Sequence, residues 1–185
     1  MYLKFKNKNK ALFLDRDGVI NEDYGYVYET NKFHLVDNIQ TLIKQAVISG
    51  YKIIIVTNQA GIGRKIFSTN DFFKITKYMK ELFLKHNCHI DAVYHCPYHP
   101  SEGIGKYLKD SFDRKPNPGM LLRAKKDFNL DMNKSILIGD KMSDIDAGRN
   151  ALVKTNILFN RNNVGSKKLR DSIEINSLTE ALKHL

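Results

Sequence analysis

Asp15 and Asp17 flank an arginine and run into Gly18 directly behind the apolar run Ala11-Leu12-Phe13-Leu14. Carboxylates two residues apart share a side only while the strand continues, and past its end a glycine that turns the chain can bring them to one centre. Brought together, they can hold a hard cation and attack phosphorus. Alone, the tetrapeptide reads more readily as a helix cap or turn. Three later sites share its position. Thr57-Asn58-Gln59-Ala60-Gly61-Ile62-Gly63-Arg64 closes a second apolar run with a hydroxyl, two amides and glycine backbone donors, a cradle for an anion. A polar cap and turn would leave Gly61 and Gly63 unexplained. Arg114-Lys115-Pro116 sets a guanidinium fork beside an ammonium, a pairing that suits phosphate, although a basic dipeptide by itself is usually solvated surface. Ile138-Gly139-Asp140-Lys141, with Asp144 following, again puts a carboxylate and a lysine at a strand terminus. Each site is ordinary singly; four in succession at strand edges are not.

The elements that must carry these residues follow from the apolar pattern. Strand-length runs recur at 11–14, 52–57, 92–94, 135–138 and 155–159, with helix-length segments between them. That alternation predicts an open, Rossmann-like parallel sheet with helices on both faces. Ile39, Leu42, Ile43 and Ala46 form one stripe over 38–49, which Gly50 closes. Phe72, Ile75, Met79, Leu82 and Phe83 do the same over 69–86, and a further helix is expected from near Asn117. The stretch 97–118, rich in proline and glycine and without a period, reads as a long loop of the kind that often carries function.

A chain of 185 residues fits one domain, 1–185. Its longest apolar stretches are far too short to cross a bilayer, and residues 1–10 lack the apolar core and cleavage site of a secretion signal, so a cytoplasmic protein is expected. Cys88 and Cys96 read as thiols. The net charge of +10 is spread along the chain, apart from the basic stretch 161–170, which favours general surface charge over a nucleic-acid groove.

In chain order the four sites resemble the motifs of the haloacid dehalogenase (HAD) superfamily of phosphatases, matched here by Asp15-Arg16-Asp17-Gly18, Thr57-Asn58, Lys115 and Gly139-Asp140. Asn21-Glu22-Asp23-Tyr24-Gly25-Tyr26-Val27, Thr57-Asn58-Gln59-Ala60-Gly61-Ile62, Cys96-Pro97-Tyr98-His99-Pro100 and Arg114-Lys115-Pro116-Asn117-Pro118-Gly119-Met120-Leu121 narrow the resemblance to the D-glycero-D-manno-heptose 1,7-bisphosphate 7-phosphatases. Histidinol-phosphate phosphatases are similar but lack the Gly25-Tyr26-Val27 element. The resemblance covers nearly the whole chain. It implies a magnesium-dependent hydrolase that removes the 7-phosphate of the sugar bisphosphate through an aspartyl-phosphate, on the route to the nucleotide-activated heptose of lipopolysaccharide core.

The same resemblance implies the roles. Asp15 is the nucleophile, Asp17 the acid and base, and Thr57 and Lys115 hold the transferring phosphoryl group. Magnesium is held by the Asp15 side chain, the Asp17 backbone carbonyl and Asp140. Substrate contacts fall to Asp23, Tyr24, Gly25, Tyr26, Asn58, Gln59, Ala60, Arg114 and Lys141. The chain has no room for a large cap domain, so only 21–36 and 97–113 can rise over the site. Relatives commonly hold a structural zinc in this loop through a Cys-x-His pair and a later Cys-x-Cys pair. Here Tyr98 stands at the histidine position and Ser111-Phe112-Asp113 at the second pair, so zinc is not expected and Cys96, His95 and His99 read as plain loop and strand-end residues. The expected partner is a small sugar bisphosphate, acted on by a monomer without nucleic acid or membrane. Alternatives are a histidinol-phosphate phosphatase, a polynucleotide 3′-phosphatase admitted by an open cleft, and a catalytically silent phospho-ligand-binding protein. Against the last stand Asp15, Asp17, Lys115 and Asp140, all present.

Overall fold

Runs of β-branched and aromatic residues closed by polar or glycine positions extend, pair and bury on both faces. The computed structural model describes residues 8–161 and 172–185, so most of the basic stretch 161–170 lies outside the described residues. Six strands form one sheet: β1 (Lys10–Leu14), β2 (Tyr51–Asn58), β3 (Ala92–Cys96), β4 (Ile136–Gly139), β5 (Thr155–Phe159) and β6 (Ile173–Ile175). All neighbours are parallel, in the order β3-β2-β1-β4-β5-β6. Leu12 in β1 lies opposite Ile53 in β2 and Ile136 in β4, which sets the register of the sheet centre.

The period of two along β1 divides the core. Leu12 and Leu14 face α1 (Ile39–Ile48) and α3 (Thr69–Lys85), with the C-terminal 3-10 helix Leu178–His184 on the same side. Ala11 and Phe13 face α4 (Gly119–Asp127) and α5 (Met142–Asn150). Helices therefore cover both faces, as the alternation requires. Gly50 ends α1 at φ +82, a conformation only glycine takes without strain. In α3 the expected stripe is buried, except that Leu82 is half-buried. The fourth helix starts at Gly119, two residues past Asn117, because Pro118 sits at its cap while the Asn117 amide donates back to Arg114 O and its side-chain Nδ2 to Ser111 O. β6 is too short to show in the sequence pattern.

Chain order reverses at β1, which sends its crossovers to β2 on one side while β4 lies on the other. Such a switch point leaves a crevice at the carboxyl ends of the strands. Between β1 and α1 the only helical piece is the 3-10 turn Thr30–Lys32, and between β3 and α4 only Gly105–Tyr107. Among the described residues nothing forms a cap domain, and no helix is long and apolar enough to cross a membrane.

Candidate active site

A cavity of about 670 Å³ opens at the switch point, with the ends of β1 and β2 and the loop before α4 in its walls. At its floor the Asp15 amide continues the sheet by donating to Ile138 O in β4 at 3.0 Å. Asp15 itself is 7 % exposed. Its Oδ1 accepts from the Arg16 amide at 2.7 Å and lies 2.8 Å from the ammonium of Lys115. That ammonium is buried, pairs also with Asp144 Oδ1 at 2.6 Å and donates to Val56 O at 2.8 Å. Burial pulls the Lys115 pKa down, but the carboxylates of Asp144 and Asp15 together outweigh it, so the net shift is upward and the lysine stays charged. Burial moves Asp15 in the opposite direction to its lysine partner: desolvation raises its pKa, Lys115 opposes the rise and Asp144 adds to it.

Gly18 turns the chain behind the two aspartates, but the carboxylate that gathers with Asp15 is not that of Asp17. Gly18 sits at φ +88, and a methyl in its place would lie 2.4 Å from Asp140 Oδ2. Asp15, Asp140 and Asp144 then bring carboxylate oxygens within 4.8 Å of one another, a group able to hold a metal ion. Asp140 Oδ1 is buried without a hydrogen-bond partner, and burial together with the charge of Asp15 pushes the Asp140 pKa up to about 7. A divalent cation fits this set: it supplies the missing partner and offsets three crowded negative charges.

The carboxylate of Asp17 belongs to a different network. It lines the same cavity, but Arg16, fully buried, grips it through Nε at 3.0 Å and Nη2 at 2.7 and 2.8 Å while also donating to Val27 O. Asn21 Nδ2 and Gln59 Nε2 complete the set at 3.0 and 2.9 Å. The Asp17 carboxylate is not one of the three that gather in the acidic group.

The remaining expected residues divide by what they touch. Thr57, buried at the end of β2, lines the cavity and accepts from Gln59 Nε2 at 2.8 Å. Asn58 lines it too, but both ends of its amide are engaged: Oδ1 accepts from Lys115 N at 3.1 Å and Nδ2 donates to Lys115 O at 3.0 Å. Ala60 opens α2 (Ala60–Gly63), where the two glycines have a packing reason of their own and Gly61 also lines the cavity. A methyl on Gly61 would meet the Phe67 ring at 2.1 Å, and one on Gly63 would meet Pro97 O at 2.3 Å. The half-buried Arg114 lines the cavity and donates through Nη1 to Tyr98 O at 3.1 Å.

Asp23, Gly25 and Tyr26 also reach the wall, whereas Tyr24 does not; it is 63 % exposed with its ring edge-on to His34. Lys141 ties the 21–27 segment down, 3.2 Å from Asp23 Oδ2 and 3.4 Å from Asp140 Oδ2. The broken zinc positions have local work: Ser111 Oγ accepts from Asp113 N at 3.2 Å and Arg114 N donates to Ser111 O at 2.9 Å.

Four residues of this site escaped assignment from sequence. Asp144 is 2 % exposed, and its Oδ2 also accepts from Lys141 N at 3.0 Å; its place one turn after Asp140 was the available signal. Arg16 stood inside the first motif. His99 lines the outer wall, its Nδ1 accepting from Glu102 N at 3.0 Å, and Ser143 adds a hydroxyl from α5.

Residues 11–172 match the model of a family described as polynucleotide kinase 3 phosphatase. A D-glycero-alpha-D-manno-heptose-1,7-bisphosphate 7-phosphatase of Burkholderia mallei is 55 % identical over 82 % of this chain and 80 % of its own length. The corresponding beta-type enzyme of Haemophilus influenzae is 44 % identical over 81 % of each. The solved structure of the D,D-heptose 1,7-bisphosphate phosphatase from B. bronchiseptica, complexed with magnesium and phosphate, has a TM-score of 0.82 and 23 % identity over 94 % of this chain and 96 % of that one, and so shares its HAD-like fold. With identity of this extent to enzymes of both anomeric types, the chain belongs to the D-glycero-D-manno-heptose-1,7-bisphosphate 7-phosphatase family.

Proposed function

We propose that this protein is a magnesium-dependent phosphatase that removes the 7-phosphate of D-glycero-α-D-manno-heptose 1,7-bisphosphate. The observation that carries the chemistry is the contact of 2.8 Å between the Lys115 ammonium and Asp15 Oδ1 at the cavity floor, beside carboxylates able to hold a cation. The choice of anomer rests on the higher identity to the alpha-type relative, 55 % against 44 %.

Both polar contacts of the Asp15 side chain described above fall on Oδ1, which leaves Oδ2 to attack phosphorus and form the aspartyl-phosphate. Asp17 gives a proton to the departing sugar oxygen and then takes one from the water that opens the acyl-phosphate. Thr57 and Lys115 hold the phosphoryl oxygens while charge spreads over them, the lysine exchanging one of its three present partners for phosphate. Magnesium held by Asp15, Asp140 and the Asp17 carbonyl, with Asp144 close by, would supply the charge that lets a carboxylate and a phosphate approach one another. Arg114, Lys141 and the 23–26 segment receive the rest of the sugar bisphosphate. The chain acts as one unit and as a monomer on a free metabolite, in the cytoplasm, on the way to a nucleotide-activated heptose.

Phosphate release is the test, from the α and β anomers of heptose 1,7-bisphosphate, histidinol phosphate and a 3′-phosphorylated oligonucleotide, with and without magnesium, beside Asp15→Asn. Magnesium-dependent turnover of the α anomer, lost in the variant, is expected. Preference for the oligonucleotide, the ester class named in the family model, would overturn the substrate while keeping the mechanism.

A further inference from the structure

Gln59 stands where a substrate contact was expected, yet its side chain is 4 % exposed as a residue and its amide nitrogen is fully occupied inside the protein. Nε2 donates to Asp17 Oδ2 at 2.9 Å and to Thr57 Oγ1 at 2.8 Å. The orientation of the amide follows from its neighbours: turned over, its oxygen would lie 2.9 Å from a carboxylate oxygen, acceptor against acceptor. The nitrogen carries two hydrogens, and the two bonds use both.

We infer that Gln59 is a positioning residue that sets the Thr57 hydroxyl and the Asp17 carboxylate together through one amide nitrogen, and that it is not a substrate contact. Two consequences follow from donor and acceptor counts. The Thr57 oxygen accepts from Gln59, so its single hydrogen must leave in another direction and is free to donate to a phosphoryl oxygen. Without Gln59 the hydroxyl can rotate and present a lone pair instead. The Asp17 carboxylate, meanwhile, is gripped from its own loop by Arg16 and Asn21, and Gln59 is its tie to β2, the strand that carries Thr57. The Gln59 main chain is fixed in turn, its amide donating to Cys96 O of β3 at 2.7 Å. One side chain therefore holds the proton donor and the phosphate holder at a set separation, which is what in-line transfer requires.

This inference rests on the roles proposed above for Asp17 and Thr57, and the experiment separates the two. Breaking the phosphorus–oxygen bond of a sugar phosphate requires a proton on the leaving oxygen; p-nitrophenolate leaves without one. Gln59→Met, similar in length and without a donor, and Gln59→Glu, the same shape with acceptors only, are compared with wild type on heptose bisphosphate and on p-nitrophenyl phosphate, after thermal unfolding has shown which variants fold. For Gln59→Met we expect kcat on the sugar phosphate to fall by about 10–100-fold, KM to stay within about threefold, and the loss on p-nitrophenyl phosphate to be clearly smaller. Gln59→Glu is expected to lose at least as much, and either variant alone suffices if the other does not fold. A raised KM for heptose bisphosphate with kcat unchanged would make Gln59 a substrate contact and overturn the inference; so would wild-type kcat in Gln59→Glu, or equal losses on both esters. If wild type does not hydrolyse heptose bisphosphate, the substrate proposal fails alone, and the same comparison is made on histidinol phosphate, an alkyl ester of the same leaving-group class.

Discussion

Lys115 is the residue on which the site converges, because its ammonium pairs with Asp15 and Asp144 and donates to a β2 carbonyl while its main chain is held by Asn58. Removing the charge has two separable effects. Lys115→Met is expected to lower kcat by about 10²–10³-fold, the usual consequence of losing one preorganised group that meets developing charge. It should also destabilise the fold by about 3–5 kcal/mol, since two buried carboxylates lose their common partner. Single-turnover kinetics with urea unfolding reads both, and an unchanged unfolding midpoint would mean that the two aspartates find another partner. At this scale the sequence picked out residues that the fold gathers at the cleft, and not what they touch. Asp15, Thr57, Lys115 and Asp140 were legible because each closes an apolar run or opens the next element. Asn58 and Gln59 were legible as polar strand-end residues only. Their partners Lys115 and Asp17 are 57 and 42 residues away, and no local pattern encodes such a pairing.

Elements hold these residues still, and α3 shows how locally that can be written. Ser68 Oγ accepts from Asp71 N at 3.1 Å, and Asp71 Oδ2 accepts from both Ser68 N and Ser68 Oγ, a reciprocal cap that satisfies otherwise orphaned backbone donors. The hydrogen bond from the Ser68 hydroxyl, followed by that from its amide, lowers the Asp71 pKa below the ordinary carboxylate range. A lowered carboxylate contributes stability that is complete above the ordinary value and is lost as pH falls through the folded one. Ser68→Ala should therefore lower Tm by about 2–4 °C at neutral pH with kcat unchanged, and by less in strong acid. A calorimetric scan at pH 7 and at pH 3 checks this, and an equal loss at both would show that the carboxylate takes no part. Strands 1 to 5 and the helical stripes of α1 and α3 were legible because period and length agree. β6 was not, since three residues carry no period, and the start of α4 moved because Pro118 and the Ser111–Asn117 bond set it.

Across the whole molecule, the order β3-β2-β1-β4-β5-β6 is the feature that no run of residues announces, yet it alone brings the ends of β1, β2 and β4 to one crevice. Alternation predicts a parallel sheet, and the handedness of crossovers limits its topologies, but the reversal at β1 depends on which faces the helices cover. The net charge of +10 also belongs to this scale. Its carriers are spread over the chain while the floor of the cleft is acidic, so the positive field acts on a ligand before contact more than at the reacting atoms. A sugar bisphosphate carries about twice the negative charge of a monophosphate, each group bearing about −1.5 to −2 near neutral pH. Coulomb attraction is linear in that charge, and screening shortens it from a reach of about 30 Å at 0.01 M salt to about 10 Å at 0.1 M. Over this range kcat/KM for heptose bisphosphate is expected to fall with a logarithmic slope roughly twice that for p-nitrophenyl phosphate, while kcat for both stays flat. Initial rates at constant free magnesium measure it. Equal slopes would mean that the field does not act on the second phosphate and that recognition lies wholly in short-range contacts such as those of Arg114 and Lys141; a falling kcat would place the salt effect within the reacting complex rather than in the approach.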